Sequence, residues 1–115
     1  MFALTIVLND DKYLNDVLST LVKEGVRGAT IIDSKGMAGA VVHGEQKSIS
    51  LFGSLLKYMD GAHPYNTTIF SVISGEDLLK KTVDAVQEVF KNAKKPGAGF
   101  MFTVPVNGIY GLGHK

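Results

Sequence analysis

The sequence contains no cysteine and no tryptophan, and its positive and negative charges nearly cancel. The absence of cysteine excludes disulfides, thiolate metal ligands and a cysteine nucleophile, and it fits a reducing compartment. A formal net charge of +1 gives no sign of the clustered basic face that nucleic-acid binders normally carry. We therefore expect no nucleic-acid partner.

Long apolar runs are also missing. No stretch approaches the roughly 18 apolar residues that suggest a membrane span. The first nine residues lack the basic start and the cleavage site of a signal peptide. We therefore expect a cytoplasmic protein with no membrane insertion. At 115 residues, the chain is expected to form a single domain, residues 1–115, that buries a core without disulfides.

The first third of the chain has a strand–helix–strand pattern. Residues 2–8 are apolar on both faces at a period of two, which predicts a central strand. Asn9 or Asp10 is placed to cap the helix that follows, and Gly25 is placed to end it. The apolar stripe of this helix comprises Leu14, Val17, Leu18, Leu21 and Val22. Residues 29–33 predict a second strand.

The same order returns after residue 64. Residues 66–73 are rich in β-branched side chains and predict a third strand, and Ser74 begins a Ser-x-x-acidic pattern typical of a helix start. The stripe of this second helix comprises Leu78, Val83, Val86, Val89 and Phe90. Residues 96–99 are expected to break the helix. Residues 100–106 predict a fourth strand, in which Pro105 indicates an edge or a bulge.

Two βαβ units joined by residues 35–64 predict an α+β fold of the split βαβ, ferredoxin-like type. Four antiparallel strands are then backed by two helices, which leaves one face of the sheet uncovered. Because residues 2–8 and 68–73 are apolar on both sides, we expect another subunit to bury the open face. The sequence therefore predicts an oligomer.

The connection over residues 35–64 is far longer than the roughly 4–6 residues usual in compact domains, and such connections are usually functional or disordered. Its apolar content argues against disorder. Helical spacing relates Ile49, Phe52, Leu56 and Met59. We expect a partly helical excursion that packs on its own assembly or contacts a partner.

Three short motifs recur at matched places in a known family. Residues 24–30 contain a Gly-x-x-Gly-x-Thr pattern that enters the second strand. Residues 35–39, Lys-Gly-Met-Ala-Gly, open the long connection, and residues 97–102, Gly-Ala-Gly-Phe-Met-Phe, enter the fourth strand. In these motifs, and in element order over essentially the whole chain, the sequence resembles the nitrogen-regulatory PII family of trimeric signalling proteins.

The resemblance implies a homotrimer that binds a small-molecule effector, ATP or ADP and often 2-oxoglutarate, in clefts between subunits. It also implies that residues 35–64 correspond to the family's T-loop, which docks on a protein target that the sequence does not identify. The expected partner contacts are Ile49, Phe52 and Met59. The ligand-binding positions implied by the match are Thr30, Lys35, Gly36, Gly97, Ala98, Gly99 and Phe100.

The chain departs from the family at its phosphate-binding cations. Phe100 stands where the family's B-loop has a lysine, and two family arginines fall near Gly108 and residues 110–111. Each lost charge-assisted hydrogen bond removes roughly 1.5–3 kcal/mol. Three such losses cost several decades of affinity. The cofactor is therefore left open, as ATP or ADP by resemblance or as a less charged ligand.

Two other functions fit parts of the sequence. His43, His63 and His114 are scattered candidates for a metal site, as in a CutA-like metal-binding or interaction trimer of the same architecture. Asp60, His63 and Tyr65 lie close in sequence and suit acid–base chemistry in a small ferredoxin-fold enzyme. An enzyme also needs a nucleophile or an oxyanion donor. We therefore expect a regulatory protein rather than an enzyme.

Overall fold

The structure, a computed structural model, describes residues 1–37, 65–93 and 97–113. Its strands are β1 (Phe2–Leu8), β2 (Thr30–Lys35), β3 (Tyr65–Ile73) and β4 (Gly99–Pro105). Its helices are α1 (Leu14–Glu24), which a 3₁₀ turn at Asp11–Tyr13 precedes, and α2 (Glu76–Val89).

The four strands form one antiparallel sheet in the order β2-β3-β1-β4. Each βαβ unit leaves a gap that a strand of the other unit fills, since β3 lies between β1 and β2 and β1 lies between β3 and β4. This interleaving is the split βαβ arrangement and confirms the predicted α+β, ferredoxin-like fold. The central place of β1 and the edge place of β4 also agree with their sequence patterns.

The core lies between the sheet and the two helices. Its buried apolar side chains are Leu4, Ile6, Leu8, Val17, Leu21, Ile69, Ile73 and Val86. Those of β1 and β3 come from alternate positions, because successive side chains of a strand point to opposite faces. The other half of each strand therefore faces away from the helices, on what we call the open face.

The ends of the helices differ in part from the sequence patterns. Asp10 rather than Asn9 caps the turn before α1, by accepting a hydrogen bond from the backbone N–H of Lys12 at 3.1 Å. At the start of α2 the pattern at Ser74 does mark the beginning of a helix, but the N-cap residue is Gly75, without a side-chain cap. Helix α2 also ends at Val89, ahead of the residues 96–99 that were expected to break it.

The end of α1 follows the prediction, whereas one member of its stripe does not. Gly25 adopts φ +94°, in the left-handed region that glycine tolerates best, and ends the helix. Val22 is 74% exposed, although the pattern placed it in the buried stripe. It lies about 100° around the helix from buried Leu21, which carries it off the inner face.

The predicted insertion at residues 35–64 is described only over residues 35–37. Ile49, Phe52 and Met59 lie outside the described residues, so their role as partner contacts stays a prediction. In the part of the chain that the structure describes, neither helix has the length and apolar character needed to cross a membrane.

Candidate functional site at one end of the sheet

Six of the seven residues expected to bind a ligand lie at one end of the sheet. Strand β2 ends at Lys35, and residues 97–100 lead into β4. Lys35 pairs with Tyr65 at the start of β3, and Gly99 pairs with Leu8 at the end of β1. We call this end, which carries residues 35–37 and 97–100, the loop-bearing end.

The two groups nevertheless lie on opposite edges of the sheet. Strands β3 and β1 separate them, and three strand spacings of about 4.8 Å place the edges roughly 14 Å apart. Thr30, the seventh residue, starts the six-residue strand β2. At about 3.3 Å per residue it lies roughly 17 Å from Lys35. A single chain therefore does not bring all seven residues together.

A row of polar side chains crosses the sheet between these two groups. The side chain of Asn9 donates from Nδ2 to the Gly97 carbonyl oxygen at 2.9 Å, and its backbone N–H donates to the Ala98 carbonyl oxygen at 2.8 Å. Asn66 donates from Nδ2 to Asn9 Oδ1 at 3.5 Å. Ser34, on β2, donates from Oγ to Asn66 Oδ1. We call this series, Ser34–Asn66–Asn9, the amide chain.

Strand register explains why these residues meet. Ser34 pairs with Asn66 across β2 and β3. Strand β1 pairs with β3 only as far as Leu8 and Thr67, so Asn9 and Asn66 occupy the next step, where the backbone ladder has ended. Their side chains make the connection that the backbone no longer makes.

The amide chain lies on the open face. Because side chains alternate along a strand, Asn66 shares this face with Thr68, whereas buried Thr67 points to the core. Thr68 Oγ1 lies 2.7 Å from Ser34 Oγ. The open face thus has a polar end at the loop-bearing end of the sheet.

The sequence did not mark Ser34, Asn66 or Asn9 as site residues. Asn9 was a candidate helix cap, Asn66 began a predicted strand, and Ser34 lay beyond the predicted end of the second strand at residue 33. Their only common signal is a polar residue at the end of an apolar strand. That signal says nothing of which strands pair, and these residues are far apart in sequence.

Backbone geometry requires glycine at two positions of the turn that leads into β4. Gly97 adopts φ +88°, in the left-handed region. A Cβ added at Gly99 would collide with the Val7 carbonyl oxygen and approach Leu8 Cα to 3.3 Å. The start of β4 therefore lies directly against the backbone of β1. At the other edge, a Cβ on Gly36 would lie 3.3 Å from Asn66 Nδ2, a tight but tolerable contact.

Phe100 and Lys35 give the two edges different character. Phe100 is 60% exposed on the open face, and its ring centroid lies 6.3 Å from that of Phe102 in a stacked arrangement. Lys35 Nζ lies 5.6 Å from the centroid of the Tyr65 ring, within the range of a cation–π contact. The β4 edge therefore offers an apolar ring, and the β2 edge offers a cation.

Comparison with known protein families shows which family the chain belongs to. A family model described as "Nitrogen regulatory protein P-II" matches residues 1–112. The chain belongs to the P-II family. A search of curated proteins gave no significant match. The family match confirms the resemblance drawn from the three sequence motifs, and it makes nitrogen-regulatory signalling the class of function that the chain belongs to.

Most of the residues on which the metal-binding and enzyme alternatives depend lie outside the described part of this P-II chain. His43, His63, His114 and Asp60 are among them. Within residues 1–37, 65–93 and 97–113, no three acidic, histidine or cysteine side chains are grouped as metal ligands would be. Both alternatives therefore depend mostly on residues outside the described part of the chain and stay predictions.

Replacing Gly99 with alanine is expected to lower the free energy of unfolding by about 1–3 kcal/mol, because the new Cβ must displace the backbone of β1 or β4. Urea denaturation at one fixed protein concentration measures the change. Gly28→Ala is the matched control, since a Cβ there meets nothing within 4 Å. Equal losses in the two variants, or no loss at Gly99, would contradict the close approach of β4 to β1.

Proposed function

We propose that the protein is a trimeric P-II signalling protein of the cytoplasm. In this proposal a small-molecule effector binds between subunits at the loop-bearing end and controls a partner protein through residues 35–64. The observation that carries the proposal is the apolar character of the open face. The absence of cysteine agrees with a reducing compartment.

The open face is apolar beyond its polar end. Exposed large side chains from three strands contribute to it, namely Ile32, Phe70, Val72, Phe100, Phe102 and Val104. Register places them together, since Phe70 and Phe102 both pair with Thr5 of the central strand β1. Contiguous apolar surface of this kind marks an interaction site on a soluble protein. Burial against two further copies of the chain, as the family resemblance implies, removes this surface from water.

The polar end of the open face is compatible with burial in such an assembly. The amide chain pairs its own donors and acceptors, and a buried polar group costs little free energy when it is hydrogen-bonded. The same end can therefore lie at a subunit boundary and also line a ligand cleft.

The positions of the expected ligand residues favour a cleft between subunits. A ligand that contacts both Gly36 and the turn at Gly97 must extend across the amide chain, because the edges lie roughly 14 Å apart. Thr30 lies too far along β2 to join from the same chain and can contribute only from a neighbouring subunit. Backbone N–H groups of a glycine-rich turn can bind an anionic group of such a ligand.

The charges described at this end favour a ligand with fewer negative charges than ATP. Phe100 offers a ring where the family's B-loop has a lysine, and Gly108 and Tyr110 offer no cation in the last segment. Lys35 is the ligand-site residue that carries a positive charge, and it is exposed. One cation can hold one anionic group, whereas a triphosphate requires several charge-assisted contacts.

Phe70→Asp is expected to convert the trimer into smaller species, because a carboxylate on the open face would be buried in the subunit interface. Size-exclusion chromatography with light scattering measures the mass. Val22→Asp is the matched control, since Val22 is exposed on α1 and lies away from the open face. The proposal fails if the two variants have the same mass as the unmodified protein, or if that protein is itself a monomer.

A thermal-shift panel of ATP, ADP, 2-oxoglutarate, bicarbonate and divalent metal ions tests the effector site. A ligand present at 100 times its Kd stabilises the protein by about 2.7 kcal/mol. We expect an organic anion to bind, and we expect Lys35→Ala to weaken that binding roughly 10- to 100-fold through loss of one charge-assisted contact. Lys23→Ala, which removes an exposed lysine from the last turn of α1, is the control.

Two results, one from this panel and one from an activity assay, would favour the other functions. Stabilisation by metal ions alone would support a metal-binding trimer. Turnover of a small carbonyl compound, lost in His63→Ala, would support an enzyme. Either outcome without binding of an organic anion would overturn the proposed effector site.

A further inference from the structure

We propose that the amide chain couples the turn at Gly97 and Ala98 on one edge of the sheet to the end of β2 on the other edge. Loosening of one edge then loosens the other. This coupling is a property of the unliganded protein. Its use in carrying an effector signal towards residues 35–37 rests on the proposed function.

The hydrogen bonds of the amide chain all point the same way, since each side chain donates to the next one from Ser34 towards Gly97. Ser34 can donate its hydroxyl hydrogen to Asn66 Oδ1, which leaves Asn66 Nδ2 as the donor to Asn9 Oδ1. Asn9 Nδ2 then donates to the Gly97 carbonyl oxygen. Rotation of the Asn9 amide by half a turn would place like atoms together at both of its contacts, and the same rotation of Asn66 would place its Oδ1 against Asn9 Oδ1. Each link therefore fixes the orientation of the next side chain.

The side chains carry this connection where the backbone does not. Backbone pairing between β1 and β3 stops at Leu8 and Thr67, one step before Asn9 and Asn66. Pairing between β2 and β3 still includes Ser34 and Asn66, and Asn9 still bonds the β4 turn through its backbone N–H. At this end of the sheet, the bond between the two asparagine side chains thus extends the connection between β1 and β3 one step beyond their backbone ladder.

Partial burial strengthens the hydrogen bond between Asn66 and Asn9. Ser34, Asn66 and Asn9 are half-buried, and both bonds of the Asn66 amide are partly buried, whereas the bond from Asn9 to Gly97 is exposed. Hydrogen bonds that are partly shielded from water are stronger, and bonds in series polarise one another. The bond from Asn66 Nδ2 to Asn9 Oδ1, at 3.5 Å, is the longest hydrogen bond of the amide chain, so we expect it to break first.

The coupling has a defined consequence at each edge. A displacement of the Gly97 carbonyl oxygen turns the Asn9 amide and withdraws Oδ1 from Asn66. Asn66 then loses its fixed orientation, and the Ser34 hydroxyl loses its bond to Asn66 Oδ1. Ser34 keeps its contact with Thr68 and its backbone pairing with β3, so the effect at Lys35 and Gly36 is a loosening of the strand end. Movement at the β4 turn therefore reaches the end of β2 without a rearrangement of the core.

Amide hydrogen exchange by NMR on the unliganded protein tests the coupling. The reporter is the backbone N–H of Asn9, which donates to the Ala98 carbonyl oxygen. The reference is the backbone N–H of Val106, which donates to the Met1 carbonyl oxygen at 3.0 Å at the opposite end of the sheet. The ratio of the two rates separates a local effect from general destabilisation.

Ser34→Ala, made on β2, is expected to raise the exchange rate of Asn9 relative to Val106 by roughly three- to tenfold, the change that loss of one hydrogen bond produces. Asn66→Asp is expected to do the same, because aspartate keeps the acceptor for Ser34 but has no donor for Asn9. Val22→Asp introduces the same charge on the exposed face of α1, away from both amides, and is expected to leave the ratio unchanged.

An unchanged ratio in Ser34→Ala would overturn the coupling, even if Asn66→Asp alters it, because the effect would then stop at the nearest neighbour. An equal increase in Val22→Asp would also overturn it. The experiment needs neither a ligand nor an identified partner. Failure of the ligand panel would therefore leave this inference standing, and failure here would leave the proposed effector site standing.

Discussion

A sheet with two apolar faces and helices on only one of them is the constraint on which the rest of this structure depends. Alternate residues of β1 and β3, among them Leu4 and Ile69, are buried beneath α1 and α2. The residues between them face the other way, and Phe70 remains 37% exposed there although it lies on an inner strand. Removal of that apolar surface from water favours association in proportion to its area. The two described helices leave this face uncovered, and in the proposed trimer two further copies of the chain cover it.

The same face carries the polar row at the loop-bearing end. In the proposed trimer, burial of Ser34, Asn66 and Asn9 in an interface would cost free energy if their donors and acceptors were unpaired. Their mutual hydrogen bonds remove most of that cost. In the proposed trimer the interface and the candidate site share one surface, so assembly and ligand binding are expected to influence each other.

Much of the fold follows from local sequence patterns. The apolar character of residues 2–8 on both faces predicted a central strand, Gly25 predicted the end of α1, and Pro105 predicted an edge strand. Each of these signals acts on its own element or its immediate neighbours. The pattern at Ser74 marked the start of α2 but not its capping residue, because Gly75 beside it occupies the N-cap position without any side-chain bond.

The candidate site was predicted less completely. Family motifs pointed to residues 35–36 and 97–100, which do share one end of the sheet. The amide chain escaped notice because it requires the register of β2, β3 and β1 together. Thr30 shows the same limit, since residues near Lys35 in sequence lie far from it once the strand is extended. Its place in a shared site depends on a neighbouring subunit, which the sequence alone does not position.

Sedimentation equilibrium of the unmodified protein at micromolar concentration tests the central claim most directly. If the open face is covered by two further copies, the measured mass will be that of three chains of 12.4 kDa each, with no detectable monomer. A stable monomer of 12.4 kDa, with the apolar face in contact with water, would contradict the account.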